Sequence, residues 1–73
     1  MTVGQRICSI RKEKGLTIKD VSLMSKIAPG RISQIENDKA NPSLNTLTAI
    51  ATALDINISR LFEEEKEDNM RCV

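Results

Sequence analysis

The sequence predicts an all-α domain, a compact bundle of four to five short helices, and three observations carry the prediction. Apolar residues recur at the 3.6-residue spacing of a helix from end to end, and no segment alternates like a half-buried strand. Capping and stop residues divide that pattern into short pieces. The length, 73 residues with 40% hydrophobic, suits one small domain with a real core and leaves no second domain to house a substrate pocket. Phe62 is the single aromatic, so the core must be built from Ile, Leu, Val, Ala and Met.

The elements follow in chain order. Val3, Ile7, Ile10 and Lys14 share one face of a first helix over about residues 3–14, which Gly15 stops. Thr17 starts the second, its hydroxyl placed to accept from a backbone N–H three residues on, and Asp20 at that position completes a capping box. Val21 and Met24 point inward from this helix, which ends near Ser25. After the turn Ser25-Lys26-Ile27-Ala28, a third helix opens at Pro29, whose missing N–H has no helical partner to lose. Ile32 and Ile35 form its buried stripe, with Gly30, Arg31, Ser33 and Gln34 outward, and Asn37-Asp38 ends it. Ser43 caps a fourth helix with Leu44, Leu47, Ile50, Ala51 and Leu54 on its apolar face, broken at Asp55. Asn57 caps a short fifth helix, and Leu61 and Phe62 close the core. Residues 1–65 form the domain in this reading, and 66–73 a disordered acidic tail.

Charge and composition narrow the function classes. Residues 1–62 hold nine Lys/Arg against five Asp/Glu, and residues 63–73 hold two against five, so a net charge of +1 conceals a basic body and an acidic tail. That asymmetry suits a nucleic-acid binder and equally an ordinary domain with a solvated charge run. With no histidine, the commonest general base is missing, and no glycine-rich phosphate loop follows a strand, so no enzyme is expected. Glu63-Glu64-Glu65 are adjacent and point in different directions on a helix, so no metal site or cofactor is expected. No apolar run approaches the roughly 20 residues of a membrane helix, and the N-terminus has no signal-like apolar region. The expectation is a cytoplasmic protein, without membrane contact, whose Cys8 and Cys72 are free thiols, Cys8 semi-buried.

Residues 17–36 are the informative unit: two short helices joined by a turn of about four residues, the spacing of a helix-turn-helix. Small residues on the outer face of the third helix, Gly30 and Ser33, allow close approach to base edges. Gln34 can pair with adenine, and Arg31 and Lys39 can reach phosphates.

The linked set Gln5-Arg6-Ile7, Arg11-Lys12-Glu13-Lys14-Gly15-Leu16-Thr17, Ile32-Ser33-Gln34-Ile35-Glu36-Asn37, Asn41-Pro42-Ser43-Leu44 and Leu61-Phe62 resembles the Cro/cI-type, or XRE-like, helix-turn-helix family, over roughly residues 3–63. Within it the sequence is similar to SinR-type regulators and to controller proteins of restriction–modification systems. The resemblance implies a lambda-repressor-like bundle and a DNA-binding role for Pro29, Gly30, Arg31, Ser33, Gln34, Asn37, Lys39 and Asn41, with Thr17 and Lys26 beside them. It also implies a partly buried salt bridge between Arg11 and Glu36. The chain departs from the family pattern at Ile18, where glutamine often contacts phosphate. It departs also at Lys26 and Asp38, where glycine is usual, and at Ala28, where Ser or Thr caps the third helix. Ile56, Ile58 and Phe62 are read as a homodimer patch, because a single small module buries too little DNA for strong specificity. The expected function is a sequence-specific transcriptional regulator, a homodimeric repressor acting on a palindromic double-stranded operator. Alternatives are a restriction–modification controller or an antitoxin, and, more distantly, a protein-interaction module that has lost DNA.

Overall fold

Val3–Glu13 (α1), Ile18–Ser25 (α2), Pro29–Glu36 (α3) and Leu44–Leu54 (α4) are α-helices, followed by a 3₁₀ turn, Ile58–Leu61, in a computed structural model that describes residues 2–62. No strand occurs among the described residues. Each boundary has a local chemical cause. Thr2 caps α1 through a reciprocal box with Gln5, a Thr-x-x-Gln signal already present in the sequence. The helix closes at Lys14 and Gly15: Leu16 N–H donates to the Arg11 carbonyl and Gly15 N–H to that of Lys12, with Gly15 at φ 72°. That is the paired bonding of a left-handed C-cap, which glycine adopts without a Cβ penalty. Thr17 and Asp20 exchange the predicted box at 3.0 and 2.9 Å.

Ser43 accepts from the Thr46 N–H at 3.2 Å to open α4, and Asp55 closes it at φ 60°. Asn57 Oδ1 accepts from the Ser59 N–H at 2.9 Å to start the last turn, which is 3₁₀ rather than α.

α1 packs on α3, α2 on α3 and α4, and the last turn against α4 and α1. The shared core is Ile7, Ile10, Val21, Ile32, Ile35, Leu47, Ile50, Ala51, Leu54 and Leu61, with Val3, Leu16, Ile18, Ile27, Ile56 and Ile58 at its margin. Burying each large aliphatic side chain contributes about 1.5–3 kcal/mol of transfer free energy.

Four readings of the sequence are corrected. Met24 lies half exposed on α2, whose buried side is held by Val21. Leu44, in the first turn of α4, is 67% exposed: the stripe that faces neighbours starts one turn later, at Leu47. Phe62 does not close the core; Leu61 does, and Phe62 is 54% exposed at the cap of the final turn. Cys8 is fully buried and takes part in a disulfide, so it is not a free thiol. The readings of Cys72, of Glu63–Glu65 and of the tail fall outside the described residues. Among the described residues, no helix is long and apolar enough to cross a membrane.

Candidate nucleic-acid interface

The candidate site rests on how α3 is held. Ile32 and Ile35 are fully buried and Glu36 nearly so, which fixes one side of the helix against α1 and α2. Helical spacing then puts Pro29, Ser33, Asn37, Gly30 and Gln34 on one contiguous outer arc. Pro29, Gly30, Gln34 and Asn37 are exposed there and Ser33 is half-buried, while Arg31 is exposed at the edge of the arc. Lys39 and Asn41, in the loop after α3, are exposed too. Thr17 and Lys26, at the two ends of α2, are both open to solvent, with the Thr17 hydroxyl engaged by the Asp20 N–H.

Two turns set the angle between α2 and α3. Lys26 ends α2 in the left-handed region, φ 65° and ψ 28°. The Ser22 hydroxyl donates to the Ile27 carbonyl at 2.6 Å, and the Ile27 N–H donates to Ser25 Oγ at 3.3 Å. The turn therefore draws its polar partners from within itself. Ala28 makes no side-chain cap, and Pro29 occupies the first turn of α3. At the far end Asp38 is left-handed at φ 60°, and Lys39 N–H donates to the Gln34 carbonyl at 2.8 Å. Asn37 Nδ2 donates to the Ser33 carbonyl at 2.9 Å, so its amide oxygen remains to face solvent.

Arg11 is the hub behind the arc. Its Nε donates to Glu36 Oε2 at 2.8 Å and its Nη2 to Glu36 Oε1 at 3.0 Å, a two-pronged ion pair in which both side chains are at most 10% exposed. Nη1 donates to the Leu16 carbonyl at 2.9 Å, and Nη2 lies 3.5 Å from Cys8 Sγ. One guanidinium thus joins α1, the α1–α2 loop and the end of α3, and it is buried too deeply to reach a phosphate.

Beside it lies a shallow cleft of about 200 Å³ lined by Cys8, Arg11, Lys12, Ile18, Ser33, Glu36 and Asn37. The cleft brings Lys12, not singled out from the sequence, next to Ser33 and Asn37. No local signal could have found it, since Lys12 and Ser33 meet only through the packing of α1 on α3. Ile56 and Ile58 are half-buried against the core, and Phe62 stands out beside them in the chain. No cluster of metal-ligating side chains occurs among the described residues.

Comparison with known proteins agrees with this geometry. A family model described as helix-turn-helix matches residues 9–61. The immunity repressor protein of Bacillus phage phi105 is 46% identical over 65 residues, 89% of this chain and 45% of that protein. The restriction–modification controller protein C.AhdI from Aeromonas hydrophila superposes with a TM-score of 0.81 at 33% identity, over 82% of this chain and 91% of that one. SinR, the master regulator for biofilm formation, solved in complex with DNA, superposes with a TM-score of 0.79 at 32% identity, over 85% of this chain and 100% of that one. The chain spans about half the length of the curated relatives it matches. It belongs to the XRE-type helix-turn-helix family.

Proposed function

We propose that this chain is a sequence-specific DNA-binding transcriptional regulator that acts as a homodimeric repressor. The observation that carries the reading is the outer arc of α3, small or polar at every position and set on a buried side that holds the helix rigidly. In this mechanism α3 of each copy enters a major groove, α2 braces it across the backbone, and two half-sites about one helical turn apart form a palindromic operator. Gln34 reads a base edge, Ser33 and Gly30 let the helix approach, and Arg31, Lys39, Asn41 and Asn37 grip phosphates and sugars. Thr17 lies at the α2 terminus that crosses the backbone. Occupying the operator then blocks polymerase. Ile56, Ile58 and Phe62 are the surface through which two copies pair.

The test is selection from a random duplex library at physiological salt. A palindromic motif is the expected result, and a folded protein that enriches nothing would overturn the reading. Gln34→Ala should weaken the selected site by about 1–3 kcal/mol and relax one base position, and equal loss on random DNA would remove the readout role.

A second reading, a restriction–modification controller, is favoured by one observation: the superposition on C.AhdI, with a TM-score of 0.81 at 33% identity. A controller should occupy two adjacent sites with strong cooperativity, whereas a simple repressor fills one.

A further inference from the structure

Cys8 is buried on α1, and its sulfur is held in a disulfide. The chain has one other cysteine, Cys72, so the bond closes on the acidic segment that follows Phe62. The last turn packs against α1. Residues 63–72 reach about 35 Å at full extension, and the 11 residues of α1 span only about 16 Å. Length therefore sets no obstacle to the bond.

The surroundings of Cys8 decide what such a tether does. Its cleft is lined also by Lys12, Ser33 and Asn37, and the last two belong to the outer arc of α3. A chain bonded to the Cys8 sulfur through this cleft passes beside both. Lys12 is exposed there and has no ion pair among the described residues. Residues 63–73 hold five Asp/Glu against two Lys/Arg. The segment thus finds a cation at the cleft and sets its remaining negative charge against any phosphate approaching α3.

The bond is also placed to open. Arg11 Nη2 lies 3.5 Å from Cys8 Sγ. A guanidinium beside a cysteine stabilises its thiolate, and a stabilised thiolate leaves faster when its disulfide is attacked. Where thiols are ordinarily kept reduced, a disulfide serves as a redox sensor more often than as a permanent staple.

We propose that a Cys8–Cys72 disulfide is a redox-controlled tether: it draws the acidic segment 63–73 along the α1–α3 cleft to the Ser33–Asn37 side of α3, where it repels DNA, and reduction releases it. The inference rests on the DNA-binding reading above and deepens it by naming what regulates that site. In the closing step a peroxide is the oxidant. One cysteine thiolate takes an oxygen atom as the O–O bond breaks, giving a sulfenic acid and hydroxide. The second thiol's sulfur then bonds the first and displaces water, so two thiols and one peroxide become one disulfide and two waters. In the opening step a dithiol is the reductant. One of its thiolates attacks the Cys72 sulfur and expels Cys8 as the thiolate beside Arg11; its second thiol then displaces Cys72, leaving the reagent oxidised and both cysteines reduced.

The experiment compares wild type reduced with dithiothreitol, wild type oxidised with hydrogen peroxide, and Cys72→Ser under both treatments. Affinity is measured at physiological salt for the selected duplex and for a random duplex of equal length. Oxidised monomer should yield a peptide that joins Cys8 to Cys72, and should bind both duplexes about tenfold more weakly than reduced wild type. Cys72→Ser should bind like reduced wild type whatever the treatment. A variant with Glu63, Glu64, Glu65 and Glu67 changed to Gln and Asp68 to Asn keeps both cysteines, and should regain most of the affinity when oxidised. Oxidised wild type should melt higher than reduced, because the cross-link restricts the unfolded chain. Equal binding by the oxidised and reduced forms overturns the proposal, and so does a disulfide found only between two copies. Loss of a cooperative melt on oxidation, or a neutralised segment that blocks as strongly as the acidic one, overturns it as well. If reduced wild type retains neither duplex, the DNA-binding reading fails and this inference with it; if it binds and oxidation changes nothing, only this inference fails.

Discussion

Arg11 divides its guanidinium between Glu36 and the Leu16 carbonyl, beside Cys8, and is buried. Replacing it with alanine strands the Glu36 carboxylate in the interior, which should destabilise the domain by about 3–5 kcal/mol in urea unfolding. Replacing both partners by Met and Leu should recover most of that loss, since no uncompensated charge then remains. Asp20 makes the opposite kind of contribution, at the surface. Its carboxylate accepts the Thr17 backbone N–H and meets the Thr17 hydroxyl, and these bonds hold its pKa below the ordinary aspartate range, with Lys19 adding a smaller pull. A folded pKa below the unfolded one means the cap is at full strength above the unfolded value and is lost as pH falls through the folded one. The Thr17 amide resonance should therefore titrate below about pH 4 in wild type and stay flat there in Asp20→Asn. Both partners of that box were legible because they lie three residues apart.

Among the elements, α1 and α3 approach each other tightly where Gly4 meets the Ile35 carbonyl. Asp38 strengthens the same junction, because its Oδ1 accepts the Thr2 hydroxyl at 2.7 Å. That bond gives a reason for aspartate, where the family pattern has glycine, at a left-handed position: the side chain ties the start of α1 to the end of α3. Gly4→Ala should force the two helices apart and cost about 1–3 kcal/mol, read as a lower urea midpoint with an unchanged slope. Nothing near Gly4 in the sequence signals this, since the obstacle is a backbone atom 31 positions away. The stops at Gly15 and Asp55 and the caps at Ser43 and Asn57 were legible, because each is settled within one turn of chain.

For the molecule as a whole, the exposed apolar side chains near the last turn bear on how two copies pair. Phe62 is 54% exposed, next in sequence to the buried Leu61, while Ile56 and Ile58 are partly shielded by the core. If these three form the pairing surface, Phe62 carries most of it, since a half-buried isoleucine has less area left to bury. Phe62→Glu should then shift sedimentation at micromolar concentration from dimer toward monomer, with the thermal midpoint little changed. A wild type that sediments as a monomer throughout removes the pairing surface.

The sequence by itself determined the all-α class, the order of the helices, most of their boundaries and the outer arc of α3. Those features depend on hydrogen bonds and spacings that span three or four residues. Only the tertiary structure decided which apolar residues are core and which are surface. Met24, Leu44 and Phe62 have the chemistry of core residues, and they are exposed because no helix among the described residues covers their side. The same holds for the disulfide at Cys8 and for Lys12 and Ser33 lining one cleft, whereas the buried Arg11–Glu36 pair was expected from the family resemblance. Periodicity tells a residue which way it faces along its own helix, but burial depends on what another helix brings to that side.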